Sequence, residues 1–294
     1  MRNNDMQINE KGFTTGGINW FPGHMAKAIK MMEENIKLCD ACIYVLDARA
    51  PFACINKKLN EVCKNKPILY VINKIDLIEQ SDLQQILNHF RTNNCKVITT
   101  VGTSLKDGKS VYSTVIDLLS EKIASKKAKG ITKAVRVMVC GIPNTGKSTI
   151  INSLSGRKQA QTGDKAGVTR GKQWIKLFDI ELLDTPGTMP PAIENQVYAR
   201  HLAYIGSIND NILDVESLCL DFITELSKYH SGRLNKKYGV DESLPPLEIY
   251  EGICKARGFL MRGGDCDYDR CAKAVFDDFR KGRLGKICLE KSSI

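Results

Sequence analysis

The sequence predicts an α/β protein, a doubly wound sheet followed by a small helical domain. Three observations predict it. Short apolar runs of strand length alternate with segments of helical periodicity. A glycine-containing turn joins the run at 134–140 to a helical segment, the strand–turn–helix order of a parallel sheet. After about residue 192 the strand-like runs stop and helical spacing takes over.

Taken in order, residues 24–38 place Met25, Ala28, Ile29, Met32 and Ile36 on one helical face. The runs "ACIYVL" (41–46), "ILYVI" (68–72) and "KVITTV" (96–101) lie between polar or turn-forming residues and read as buried parallel strands. Helical segments are expected near 56–64, 81–92 and 108–130, the last running into a basic linker. "AVRVMVC" (134–140) is the next strand, with a helix starting at Lys147. "WIKLF" and "IELLD" (174–184) form a hairpin pair. Beyond residue 192, helices are expected at 247–257 and 267–280. On the second, Tyr268, Cys271, Ala272, Val275, Phe276 and Phe279 share a face. This gives a first domain at 1–192, with a linker at about 122–133, and a helical C-terminal domain at 193–294.

The chain has 294 residues, 43% of them hydrophobic, enough to bury a core. No apolar run approaches the ~18 residues of a membrane span. "MRNNDMQINEKG" lacks the apolar centre of a signal peptide. The expectation is a soluble, cytoplasmic protein without membrane contact, monomeric. The 11 cysteines sit mostly in apolar segments and read as reduced buried thiols. Cys39/Cys42 and Cys266/Cys271 lack the second pair that a zinc site needs. Net charge is +10, and residues 122–136 carry six Lys or Arg and no acid. Such charge suits a polyphosphate partner, although a solvated basic surface gives the same numbers.

The strongest motif is "GIPNTGKS" (141–148), a G-x-x-x-x-G-K-S match in the required strand–helix context. Its backbone N–H groups cradle phosphates. The binding set is Pro143, Asn144, Thr145, Gly146, Lys147, Ser148 and Thr149. Lys147 reaches the β- and γ-phosphates and Ser148 holds Mg²⁺. In "LLDTPG" (182–187), Asp184 would bind Mg²⁺ through water, and the Gly187 amide would face the γ-phosphate. In "NKID" (73–76), the Asp76 carboxylate can accept both guanine N1–H and the 2-amino group, a pair that adenine lacks. Asn73 would serve the other base edge, and the Lys74 stem would pack over the ring. "VGTSLKDG" (101–108) offers Thr103 and Ser104 to the guanine oxygen. In "TGDKAGVTRGKQW" (162–174), Thr169 is the candidate for a second hydroxyl on Mg²⁺, with Thr162 as competitor. Asp47 and Arg49 of "DARAP" (47–51) either pair at the strand end or line the site, and the pairing is preferred.

In Ras-like GTPases the phosphate motifs come first and the guanine motifs last. Here the order is reversed. Neither half holds a complete nucleotide site, and each alone would be a sheet fragment with an open edge. Treating 122–133 as a joint between former termini restores one sheet, a circularly permuted Ras-like P-loop GTPase. The segment after D-T-P-G then runs directly into the helical domain.

On these motifs the chain resembles the circularly permuted GTPases of the YlqF/RbgA type. The resemblance also rests on "INWFPGHMAKA" (18–28), "GVTRGKQW" and "RGFLMRGGDCDYD…DFRKGRLGK", and it covers nearly the whole chain. It implies GTP hydrolysis to GDP and phosphate, assembly of a large ribosomal subunit precursor, and a C-terminal domain on rRNA. Alternatives are a GTP-dependent switch on tRNA or the small subunit, and a switch with little turnover.

Many GTPases orient the attacking water with a Gln after D-x-x-G. Here Thr188 follows Gly187. The resemblance makes His24 the replacement, with Lys147 and Thr169 completing the catalytic set. A His after Pro-Gly also serves as a helix cap, so both readings stand. Asn144 resembles the asparagine of potassium-activated GTPases, where K⁺ sits beside the phosphates.

Overall fold

The computed structural model describes residues 13–14, 17–18, 23–92, 95–102, 104–131, 133–156, 173–190 and 193–290. These fall into two compact units, one within Trp20–Glu194 plus Cys288–Ile294, the other within Met1–Asn19 plus Asn195–Ile287. The expected division at 192/193 differs from this at both ends of the chain. The hairpin of β1 (Phe13–Thr14) and β2 (Gly17–Ile18) belongs with the helices, where Ile18 N donates to Gln196 Oε1 at 2.7 Å. Residues 288–290 return to the sheet unit, where the Leu289 amide and the Glu290 carboxylate find backbone partners.

In the sheet unit, α1 (Gly23–Asn35) buries Met25, Ala28, Ile29 and Met32, the face expected from their spacing. β3 (Ala41–Asp47) is buried at every position. After it come α2 (Lys57–Cys63), capped by Asn56, then β4 (Ile68–Asn73), α3 (Gln80–Thr92) and β5 (Lys96–Thr99). The expected long helix at 108–130 is two helices, α4 (Leu105–Leu118) and α5 (Ser120–Ala128), broken at Leu119. The break follows the pattern of burial. α4 packs Val111 and Val115 into the core, whereas α5 buries no residue and is held through Lys122 and Lys126, both paired with Asp40. β6 (Val135–Cys140), α6 (Lys147–Ser155), β7 (Gln173–Leu177) and β8 (Ile180–Asp184) complete the unit.

The strands form one six-stranded sheet of order β5-β4-β3-β6-β8-β7. All pairs are parallel except the β7–β8 hairpin. The joint across the permutation is the pair β3–β6, with Ala41 opposite Val137 and Tyr44 opposite Cys140. Neither half of the chain closes a sheet; together they make one.

The second unit holds α7 (Gln196–Tyr204), α8 (Val215–Tyr229), α9 (Arg233–Tyr238), α10 (Pro246–Arg257) and α11 (Tyr268–Arg280). Its core is aromatic: Phe222 lies 4.7 Å from Tyr204 and 4.9 Å from Phe279, centroid to centroid. α11 buries Cys271, Ala272, Val275, Phe276 and Phe279 as its spacing predicts, while Tyr268 is only half-buried. All eleven cysteines are free thiols, and all but Cys95 are buried.

Candidate active site

Five parallel strands end on one edge of the sheet, so the loops that follow them converge there. Five sequence motifs follow these strands: D-A-R-A-P after β3, N-K-I-D after β4, T-S-L-K-D-G after β5, G-I-P-N-T-G-K-S after β6 and D-T-P-G after β8.

The guanine-type and phosphate-type motifs are stitched directly together. Asn73, 2% exposed, donates from Nδ2 to the Thr145 carbonyl at 2.8 Å and accepts from Thr100 Oγ1 at 2.9 Å. Lys74 Nζ donates to the Asn144 carbonyl at 2.7 Å. Lys74 and Asn144 both adopt left-handed backbone, with φ of 62° and 60°. Such conformations persist only where neighbours fix them. Asn73 was expected at a base edge; its amide is engaged in tying N-K-I-D to the phosphate loop. Asp76 is exposed in the short 3-10 turn Ile75–Leu77.

The phosphate loop closes on itself. Thr145 Oγ1 donates to the Ile142 carbonyl at 3.1 Å, and Lys147 Nζ donates to the same carbonyl at 2.7 Å. Gly146, φ 94°, precedes α6 without a side-chain cap, and a Cβ there would collide with Asn73 Nδ2. No acidic residue stands in the first turn of α6. The N–H groups at this helix start are therefore available to an anion. Pro143 and Thr145 are buried, and Ser148 and Thr149 are half-buried in that first turn.

Burial sets the charges. It pushes the Lys147 ammonium down to about 8, against the opposing pull of Asp184. It raises the Asp184 carboxyl to about 6, against the opposing effect of Lys147. Asp184 Oδ1 is buried without a hydrogen-bond partner among the described residues. An orphaned carboxylate oxygen beside the Ser148 helix start fits a hard divalent cation.

Asp47 and Arg49 form a buried pair. Arg49 donates from Nε to Oδ1 at 2.9 Å and from Nη2 to Oδ2 at 2.7 Å. Lys74 Nζ lies 2.9 Å from the same Oδ2. Burial alone would raise the Asp47 carboxyl, but Arg49 and Lys74 hold it well below the usual carboxylate range. The structural pair expected from D-A-R-A-P is present, and it also reaches into N-K-I-D.

The D-T-P-G turn packs on the phosphate loop so closely that a Cβ on Gly187 would lie 2.7 Å from Pro143 Cα. Thr188 and Met189 are fully buried. Asn56 Nδ2 donates to the Thr188 carbonyl at 3.3 Å, and the Met189 amide lies 3.4 Å from Met25 Sδ. The segment that follows D-T-P-G is thus anchored through residue 189, to Asn56 and to Met25 in the first turn of α1, the turn that contains His24.

Ser104 caps α4 by accepting from the Lys106 amide at 3.1 Å, and Asp107 Oδ2 accepts from the Val101 and Gly102 amides. Thr103, Thr162 and Thr169 lie outside the described residues, as do Trp20, Phe21 and Pro22 and the side chain of His24. Sequence reasoning did not find Thr100 or Glu290. Thr100 follows β5 in a threonine pair that looks like any strand end. Glu290 carries no motif.

The 50S ribosome-binding GTPase family matches residues 136–238. The ribosome biogenesis GTPase A of Bacillus cereus is 38% identical to this chain over 93% of each protein. The chain belongs to the ribosome biogenesis GTPase A family. The member from Priestia megaterium is 37% identical over 94% of this chain and 97% of its own. A crystal structure of GNP-bound YlqF from T. maritima aligns with a TM-score of 0.63 and 25% identity, covering 90% of this chain and 97% of that one. As a ribosome biogenesis GTPase A family member, the protein is a GTPase of ribosome assembly built on a circularly permuted P-loop sheet. Among the described residues no helix is long and apolar enough to cross a membrane.

Proposed function

We propose that the protein converts GTP and water to GDP and phosphate as an assembly factor of the large (50S) ribosomal subunit. The observation that carries this reading is the hydrogen-bonded union of N-K-I-D with the phosphate loop through Asn73 and Lys74. It brings a base-reading motif and a phosphate-binding motif, 70 residues apart, to one sheet edge. Asp76 accepts the two guanine donors, and the Lys74 stem covers the ring. Pro143–Thr149 enfold the phosphates with backbone N–H groups, and Thr103 and Ser104 would serve the guanine oxygen. Lys147 leaves the Ile142 carbonyl for the β- and γ-phosphates, exchanging a neutral acceptor for an anion.

Mg²⁺ held by Ser148, by Asp184 through water and by Thr169 would neutralise charge on the β- and γ-phosphate oxygens. K⁺ beside Asn144 would add positive charge where the transition state needs it. The Gly187 amide faces the γ-phosphate. Thr188 is buried and anchored, and the resemblance to the YlqF/RbgA-type GTPases gives the water to His24. The support for His24 is positional: Met25, its neighbour, touches the backbone two residues beyond Gly187. A neutral imidazole there accepts a hydrogen bond from the attacking water.

The helical C-terminal domain and its basic tail contact rRNA of a 50S precursor, and the protein acts as a cytoplasmic monomer. The test is GTP turnover alone, with large subunits and with small subunits. Stimulation by large subunits is expected. Stimulation by small subunits alone overturns the reading in favour of a small-subunit switch, and no stimulation by either overturns it in favour of a binding switch. His24→Ala should abolish the stimulated rate and leave guanine-nucleotide affinity near normal. Loss of nucleotide binding or folding supports the capping role instead.

A further inference from the structure

Residues 288–290 follow the helical unit in sequence, yet they pack within the sheet unit. Cys288 and Glu290 are wholly buried and Leu289 nearly so. The Glu290 carboxylate accepts two backbone N–H bonds, from Phe52 at 2.7 Å and from Ala53 at 2.9 Å, across 238 and 237 residues of chain. The Leu289 amide donates to the Arg49 carbonyl at 2.8 Å. Cys288 Sγ lies 3.9 Å from the Ala48 carbonyl. Burying a polar side chain is costly unless its oxygens find donors, and the two backbone N–H groups supply them here. The loop from Ala48 to Ala53 is therefore held from outside at four points, two at each end.

That loop begins the relay to N-K-I-D. Its Arg49 grips both Asp47 oxygens, Asp47 Oδ2 holds Lys74 Nζ, and Lys74 Nζ donates to the Asn144 carbonyl of the phosphate loop. Each link is a short polar contact between buried or half-buried groups. Lys74 has four side-chain torsions and left-handed backbone. Without the anchored Asp47 carboxylate its ammonium would keep only a neutral acceptor, the Asn144 carbonyl, and would be held less firmly.

We propose that Leu289 and Glu290 are positioning residues of the guanine pocket, acting through Arg49 and Asp47 on Lys74. The inference rests on the reading of N-K-I-D as the guanine site. On this view, residues that touch no part of the nucleotide preset the lysine that covers the base. Preorganisation of this kind acts on affinity, because the ordering is done before the ligand arrives.

The experiment uses the full chain with fluorescently labelled GDP and GTP. Four variants are compared: Glu290→Ala, Lys74→Ala, the two combined, and Asp76→Asn as control. Glu290→Ala is expected to weaken both nucleotides about tenfold, with turnover at saturating GTP unchanged. Lys74→Ala weakens them at least as much. The combined variant should bind no more weakly than Lys74→Ala alone, because Glu290 acts through that lysine. A merely structural clasp gives the opposite result, an equal further loss in the Lys74→Ala background, and this overturns the proposal. Wild-type affinity in Glu290→Ala also overturns it. Should Glu290→Ala fail to fold, Glu290→Gln, which keeps the volume and one acceptor, makes the same comparison with about a threefold expected loss. Unchanged base preference in Asp76→Asn fails the guanine reading itself and this inference with it. A changed preference in Asp76→Asn with an unaffected Glu290→Ala fails this inference alone.

Discussion

Asn73→Ala tests whether the two nucleotide motifs are one structure or two neighbours. The side chain is 2% exposed, and it bridges the Thr145 carbonyl and the Thr100 hydroxyl, the latter on a fully buried residue. Truncation removes both bonds and leaves both partners facing the vacated space. A buried polar group deprived of its partner costs about 1–3 kcal/mol, so two put the loss at about 4 kcal/mol. For a unit of roughly 180 residues, 1 kcal/mol moves the melting midpoint by about 2–4 °C, which gives a fall of about 10 °C. The second consequence concerns the ligand. The phosphate loop loses its tie to N-K-I-D, so GDP should bind at least tenfold more weakly. GDP at 100 times the wild-type Kd raises wild-type stability by about 2.7 kcal/mol; a tenfold weaker variant gains about 1.4 kcal/mol at the same concentration. Thermal melts followed by circular dichroism, with and without GDP, read both effects. A midpoint within about 2 °C of wild type, or an undiminished shift with GDP, refutes the argument.

Asp76→Asn should weaken GTP and GDP by about 10²-fold or more, since two charge-assisted bonds are replaced, and should improve binding of xanthosine nucleotides, whose second carbonyl suits an amide donor; competition binding measures both. Gly187→Ala forces a Cβ against the backbone of Pro143 and should open the contact between D-T-P-G and the phosphate loop. We expect hydrolysis to fall at least tenfold while GDP affinity changes less, because on the proposed reading the Gly187 amide serves the γ-phosphate, which GDP lacks; parallel turnover and GDP titrations check this, and equal losses in both would count against it. Single-turnover hydrolysis in K⁺ should exceed that in Na⁺ at equal ionic strength if Asn144 holds K⁺; equal rates exclude that role.

Much of the sheet was legible because its central strands β3 and β4 are unbroken apolar runs between polar turns, as burial on both faces requires, and β6 and β8 each break theirs with a charged residue paired to the other, Arg136 to Glu181. The permutation was legible from motif order alone, and the β3–β6 pair gives it physical form. The break at Leu119 was not. Helical propensity runs through 108–130, and only packing ends the first helix, where the core stops and Asp40 takes over. The tie that Asn73 makes to the phosphate loop was illegible for a similar reason. An asparagine beside a base-reading aspartate suggests a ligand contact, and nothing local reveals a carbonyl 72 residues away in sequence as its partner. Glu290 was illegible altogether, since a lone glutamate near a basic tail has no pattern until the fold brings it to Phe52.

The pairing of β3 with β6 also governs how the chain comes off the ribosome that makes it. β3 is buried throughout, and it waits for β6 while about 90 further residues are synthesised, roughly 5–20 s at ordinary elongation rates. During that interval the inner edge of the future central strand leaves its backbone N–H and C=O groups unpaired between apolar faces, with β4 covering only its other side. The nascent guanine half is a sheet with a sticky flank, and the phosphate half is its own capping partner, delivered late. The permutation therefore moves the most vulnerable moment of folding into translation itself.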